Sequence, residues 1–352
     1  MAKQKRFATH ITAANGKRVY LCAGSKEELD KKVLQAKIAM HSGVDITCDF
    51  TFEEYALSWL KAYKSPPNVS EHSYLLIEAN MRNHVLPFFG AMRLRDVKPM
   101  HIQLFITGMS GYSKSLQSKC LQIVKGVFLS AVEDGLLVKT PVSQKHKPAG
   151  EEPEEPEPLT DEQAAELLGN LRGKRPYAFV LIALTTGMRR GEILGLLWSD
   201  VDLDRNIIHV RHNLSFACNS NHAEVSDRLK TPTSYRDIPI SPVLREFLLT
   251  MDRSTYTVIH TKDGGVLSKA SFRTMQETIN RLAPDGLNCH PHLFRHTFTT
   301  QCIEKGLDPT EVQHLLGHKD ISVTMGVYNH YREKSRGAQT AERLQGALSY
   351  LA

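Results

Sequence analysis

At 352 residues the chain is long enough for two or three domains of roughly 100 to 200 residues, which excludes a peptide or a lone small module. Lys and Arg total 44 against 38 Asp and Glu, a formal excess of six. That modest total hides segregation. Residues 1 to 40 hold nine basic and three acidic side chains, residues 64 to 147 hold eleven and five, and the run Glu151-Glu152-Pro153-Glu154-Glu155-Pro156-Glu157 offsets them. Segments charged in this way point to a polyanionic partner.

The start, Met1-Ala2-Lys3-Gln4-Lys5-Arg6, is basic but leads into no apolar core, and no apolar run approaches the length of a membrane span. The expectation is a soluble, cytoplasmic protein with no membrane partner. Cys22, Cys48, Cys120, Cys218, Cys289 and Cys302 are scattered, with no C-x-x-C pair, in a chain too large to need stapling. They read as reduced, mostly buried thiols.

From Arg6 to Cys22 two alternating segments flank Asn15-Gly16, a dipeptide suited to a tight hairpin turn. Ser25-Lys26-Glu27-Glu28 then has capping-box spacing and opens a helix with Leu29, Val33, Leu34 and Ala36 as its apolar stripe. A second capping box, Thr51-Phe52-Glu53-Glu54, starts a helix whose Phe52, Tyr55, Ala56, Trp59, Leu60 and Tyr63 form one continuous buried face. Helical patterns follow at about Tyr74 to Val85, Lys98 to Met109 and Ser115 to Val132, so residues 51 to 145 read as an all-helical bundle. The acidic, proline-rich segment can bury almost nothing and repels itself, which makes it a linker. Thr160-Asp161-Glu162-Gln163 caps the next helix, and helices then alternate with a β-rich patch at about 206 to 240.

Three constellations in this last part carry chemistry. Pro176 to Leu184 is apolar enough for a buried helix, and Thr185-Thr186-Gly187 breaks it before Met188-Arg189-Arg190-Gly191-Glu192 resumes. An arginine there is dehydrated and aimed, and Glu192 on the same face can brace it, although alone the two read equally as a surface pair. In His290-Pro291-His292-Leu293-Phe294-Arg295-His296, with Pro291 in the first turn, His292, Arg295 and His296 share one helical face. Imidazole beside guanidinium suits an anionic oxygen better than a metal. Finally Gly306 ends that helix, Asp308-Pro309 starts another, and Leu316-Gly317-His318 ends it ahead of Tyr328. A lone tyrosine is more often core packing with a wet tip.

Taken in order, Thr186-Gly187-Met188-Arg189-Arg190-Gly191-Glu192, Lys230-Thr231, His292-Leu293-Phe294-Arg295-His296, Leu316-Gly317-His318 and Tyr328 resemble the boxes of the tyrosine recombinases, the phage-type integrase family. Each box is common alone; the ordered set is specific. Phe294 departs from the family's usual leucine, a matter of packing. The resemblance extends to residues 51 to 145, similar to the family's core-binding domain, and more loosely to residues 1 to 46, similar to the arm-binding domains of phage and conjugative-transposon integrases.

The resemblance implies a multidomain chain: a small α+β arm-type DNA-binding unit at 1–46, an all-α core-binding bundle at 51–145, a linker at 146–158, and a mixed, mainly α catalytic domain at 159–352 with a small antiparallel sheet. It also implies that Tyr328 attacks the scissile phosphate to give a 3′-phosphotyrosyl bond. Arg189, Arg295 and His318 would hold that phosphate, Lys230 would protonate the leaving 5′-oxygen, and His292 would assist proton movement, with Glu192 and His296 bracing the site. No metal or cofactor is implied. The implied partners are double-stranded DNA with core-type and arm-type sites, three further copies in a tetramer, and an excisionase or host DNA-bending protein, at a bacterial nucleoid. Type IB topoisomerase activity and a non-catalytic DNA-binding regulator are the alternatives. A metal nuclease using the i, i+4 pairs His292/His296 and His314/His318 is disfavoured by Arg295 inside the first pair. Ala341, Leu344, Leu348 and Leu351 form one helical face in segment 339–351, which packs on a neighbouring protomer or on its own domain.

Overall fold

Alternating residues either side of a turn give the first element pair: β1 (Phe7–Thr12) and β2 (Arg18–Ala23) run antiparallel, from Phe7↔Ala23 to Thr12↔Arg18. The computed structural model describes residues 6–13, 16–47, 49–150, 157–216, 222–227, 229, 232–317, 320–321 and 325–326. Cys48, Cys218, Lys230, His318, Tyr328 and the segment 339–351 lie outside them. The chain divides into two compact units at Glu154 and Glu155, within the acidic run.

In the first unit, α1 (Lys26–His41) starts where Ser25 accepts a hydrogen bond from the Glu28 amide. Its expected stripe is only partly covered: Leu29 is buried, whereas Leu34 is 59% exposed. A two-stranded ribbon is too narrow to cover more than one edge of such a helix. The ribbon's other face presents His10, Arg18 and Tyr20 to solvent, with the His10 and Tyr20 rings 5.9 Å apart.

The same unit contains the helical bundle: α2 (Phe52–Tyr63), α3 (Glu71–Asn80), α4 (Leu86–Phe89), α5 (Pro99–Gly108) and α6 (Lys114–Glu133). Thr51 and Glu54 form the reciprocal cap read from the sequence. The core centres on Phe52, whose ring lies 5.3 Å from Phe89 and 5.5 Å from Phe128. Tyr63 departs from the expected buried face. It is 46% exposed, and its hydroxyl joins that of Tyr55 on the Asp134 carboxylate. Between α3 and α4 the chain widens into a π-turn at Met81–Val85. Pro87 explains it: the ring carries no N–H and would strike the carbonyl one turn back in a regular helix.

In the second unit, α7 (Asp161–Leu171) begins at the capping box of Thr160 and Gln163. The next helix, α8 (Pro176–Thr186), is buried on nearly every side and forms the spine of the unit. Against it pack α7, α9 (Arg190–Leu194), α10 (Pro242–Thr250), α11 (Lys269–Leu282) and α12 (Pro291–Glu304), while α13 (Pro309–Leu316) packs on α12. One small antiparallel sheet is expected, and among the described residues two form. The strands β3 (Val201–Asp202), β4 (Ile207–Val210) and β7 (Arg236–Pro239) make a three-stranded antiparallel sheet, and β5 (Asn213–Phe216) pairs with β6 (Ala223–Ser226) separately. The cause lies between β4 and β5. The ring of His212 is tied to buried Asp200 at 2.7 Å, and Leu214 buries where β5 packs on α9, so the chain leaves the first sheet.

Cys120 and Cys289 are buried and burial raises their thiols to about 11, whereas Cys22 is exposed. Among the described residues no helix is long and apolar enough to cross a membrane.

Candidate active site

The spine helix α8 ends at Gly187, whose left-handed conformation (φ 61°) turns the chain sharply into Met188 and Arg189. A side chain there would bring a Cβ within 2.4 Å of Phe298 on α12 and 2.9 Å of Leu316 on α13. Only glycine lets these three helices meet. Arg189 follows in extended conformation as the residue before α9, and its amide donates to Glu192 Oε2 at 2.9 Å. Its guanidinium donates to Glu192 Oε1 through Nη1 (2.9 Å) and to the Gly317 carbonyl through Nη2 (3.0 Å).

Arg295 arrives from α12, which His290 caps by accepting from the Leu293 amide through its imidazole nitrogen. The residue is only 7% exposed. Nη1 donates to the Gly187 carbonyl at 2.8 Å and Nη2 to the Leu316 carbonyl at 2.7 Å. A third arginine closes the arrangement. Arg236 on β7 donates to the Leu315 carbonyl through Nε, to the Ser234 carbonyl through Nη1, and to Glu192 Oε2 through Nη2 at 2.9 Å.

The pattern has one physical origin. A helix ends with carbonyls that lack intrahelical partners and with the negative end of its dipole, and here α13 stops at Gly317 in left-handed conformation (φ 63°). The successive carbonyls of Leu315, Leu316 and Gly317 each take an arginine from a different part of the chain. Near Gly317 lies Thr233, whose carbonyl would sit 2.9 Å from a Cβ there. So Thr233, at the start of the approach to β7, meets the end of α13.

A family model described as "Phage integrase family" matches residues 157–335, just over half of the chain. The chain belongs to the phage integrase family. A model of the phage integrase N-terminal SAM-like domain also matches residues 51–110. This phage integrase is similar to the tyrosine recombinase XerC-like protein of Caldanaerobacter subterraneus subsp. tengcongensis, at 26% identity over 91% of this chain and 90% of that one. It is 22% identical to the transposase of transposon Tn916 from Enterococcus faecalis, over 88% and 82% of the two chains. In fold it is similar to residues 82–397 of the Tn1549 transposon integrase, solved with transposon right end DNA: TM-score 0.68, 22% identity, 82% of this chain and 100% of that one. A lambda integrase tetramer on a Holliday junction gives a TM-score of 0.58, 15% identity and 89% of each chain.

In this phage integrase one carboxylate faces three guanidinium groups, leaving an excess of positive charge in a largely dehydrated place. Burial opposes the charge on Glu192, but the hydrogen bond and charge of Arg236, then Arg189, hold its carboxyl below the usual range. Burial and then Arg189 push Arg295 down to about 9, still cationic at neutral pH. His292, exposed one turn before Arg295, is held below its ordinary 6.5 by desolvation from its packed surroundings first, then by His290, Arg295, Arg190 and Arg189. It is neutral at pH 7 and can accept a proton. His296 is half-buried on the same helix.

Of the residues read from the sequence, Arg189, Glu192 and Arg295 therefore come together, with His292 beside them. Lys230, His318 and Tyr328 lie outside the described residues. Sequence reading missed Arg236. The signal was available, because Arg236, Ile238 and Ile240 alternate, so one strand face holds all three, and a charge on the core face needs a partner.

Proposed function

We propose that this chain is a site-specific DNA recombinase that cleaves and rejoins DNA through a 3′-phosphotyrosyl intermediate, integrating and excising a mobile element. The observation that carries this reading is the pair Arg189 and Arg295, fixed on adjacent carbonyls at the end of α13 with other N–H donors unspent. Two planar, cationic forks beside each other fit the non-bridging oxygens of a pentacovalent phosphorus. In the first step the Tyr328 oxygen attacks phosphorus and the bond to the 5′-oxygen breaks, with Lys230 protonating the leaving oxygen. His318 adds a donor to the phosphate, and neutral His292 takes up the tyrosine's proton. The phosphodiester energy stays in the phosphotyrosyl bond, so the 5′-hydroxyl of another strand reverses the step without a nucleotide. Glu192 and His296 brace the site.

Residues 159–352 are the catalytic domain and 51–145 the core-binding domain, a reading supported by the family models that match parts of each. Residues 1–46 bind arm-type DNA; the exposed face with Arg18, Tyr20 and His10 supports this. Strand exchange joins two duplexes, so four copies act together, as four do in the lambda integrase structure on a Holliday junction. An excisionase or host DNA-bending protein sets direction.

The test uses a nicked suicide substrate drawn from the ends of the element, with chelator in excess, and looks for a protein–DNA adduct on a denaturing gel. An adduct with the wild type that vanishes in Tyr328→Phe is the expected result. Binding without an adduct on a verified site would sink the reading. The pH dependence is a second check. Because His292 must be neutral and its pKa is depressed, adduct formation should hold as pH falls through 6.5 and drop only below it. A pH profile unchanged in His292→Gln would count against this role.

A further inference from the structure

Arg190 follows Arg189 directly, yet it makes different contacts. Its guanidinium lies 5.3 Å from the ring centroid of Phe272 on α11 and 5.5 Å from that of Phe216 at the end of β5. These are cation–π distances, and two rings fix the plane of the fork at small entropic cost. No described residue accepts a hydrogen bond from Arg190 or forms an ion pair with it. Arg189, Arg236 and Arg295 by contrast are each tied to carbonyls, and two of them to Glu192 as well. Arg190 is exposed, so a guanidinium held flat on two rings presents all its donors, unspent, to an incoming anion.

We propose that Arg190, on its shelf of Phe216 and Phe272, grips a DNA backbone phosphate flanking the scissile one. The inference rests on the recombinase reading above. Arg189 is tied to Glu192 and the Gly317 carbonyl while Arg190 lies over Phe216 and Phe272, so the two forks serve different phosphates. The charge of Arg190 is nonetheless felt at His292, which places it beside the same site. The anion that a recombinase brings to this place in quantity is the DNA backbone, and a phosphate next to the reacting one is within the chain's natural track.

The experiment uses the full chain and the site verified by adduct formation. Duplexes carry an uncharged methylphosphonate at one position at a time, at the scissile phosphate and at its neighbours on both strands. Wild type is compared with Arg190→Met, which keeps a stem over the rings, and Arg190→Lys, which keeps charge but not the planar fork. Thermal unfolding of each variant controls for folding. Binding by Arg190→Met should be about tenfold weaker, and its slope of log K against log salt should be shallower by about 0.9. One flanking methylphosphonate should weaken wild-type binding by a similar factor and leave Arg190→Met unaffected. Arg190→Lys should keep the salt slope while losing part of the affinity. Identical slopes and identical methylphosphonate profiles for wild type and Arg190→Met would overturn the proposal, as would insensitivity confined to the scissile phosphate. If the wild type forms no adduct, the recombinase reading fails by itself; an adduct with unchanged profiles removes only the role of Arg190.

Discussion

Arg295→Met is expected to slow adduct formation at saturating DNA by about 10²- to 10³-fold, the loss typical of removing one donor aimed at developing negative charge. Stability should move far less, because two effects oppose each other. The substitution leaves the Gly187 and Leu316 carbonyls without their donor, which costs about 1–3 kcal/mol for each buried group left unmet. It also removes a cation that burial and the neighbouring Arg189 disfavour, as its lowered pKa of about 9 records. Arg295→Lys should recover little of the rate, since a point charge reaches one carbonyl and cannot present a fork. Single-turnover adduct kinetics and thermal unfolding on the same preparations separate the two effects. A rate loss that merely follows the unfolding temperature would assign Arg295 to the scaffold.

The sequence disclosed the site where local rules and chemistry agree. Gly187 and Gly317 fall where helices must stop, Pro291 where one must start, and the charged residues at those punctuation marks are the ones that converge. Arg236 escaped because a strand is read for its apolar alternation, and a buried charge breaks that pattern without announcing its partner 44 residues upstream. Arg190 escaped for a related reason: its shelf is built from β5 and α11, and no spacing within one helix points to rings on two other elements. Leu34 and Tyr63 have helical spacing yet are exposed, because periodicity says which face a residue shares and not how far a neighbour extends to cover it. The split of the expected sheet into two depends on the His212–Asp200 contact, a tertiary fact. DNA sequence preference is likewise illegible in the chain, since it depends on which side chains enter a groove.

The pair Glu192 and Arg236 should reveal a separation between stability and activity. Both side chains are nearly fully buried, at 3% and 1% exposure, and removing one partner leaves the other as an uncompensated charge. Glu192→Gln and Arg236→Met are each expected to cost about 3–5 kcal/mol. Glu192→Leu combined with Arg236→Met should cost less than the sum of the two single changes, because a buried pair replaced by apolar groups leaves no lone charge. Recombination should not recover with it. Glu192 also holds the amide and guanidinium of Arg189, and the double variant leaves that arginine unaimed, with the Leu315 carbonyl short of its donor. The pH dependence adds an independent check on sign. The Glu192 carboxyl lies below its ordinary 4.5, so its stabilisation is fully present above that value and is lost as pH falls through the lowered one. Acid titration of the wild type should therefore include a component that Glu192→Gln lacks. Equal acid profiles for the two would mean that Glu192 carries no charge in the folded chain, and the account of how Arg189 is aimed would have to be abandoned.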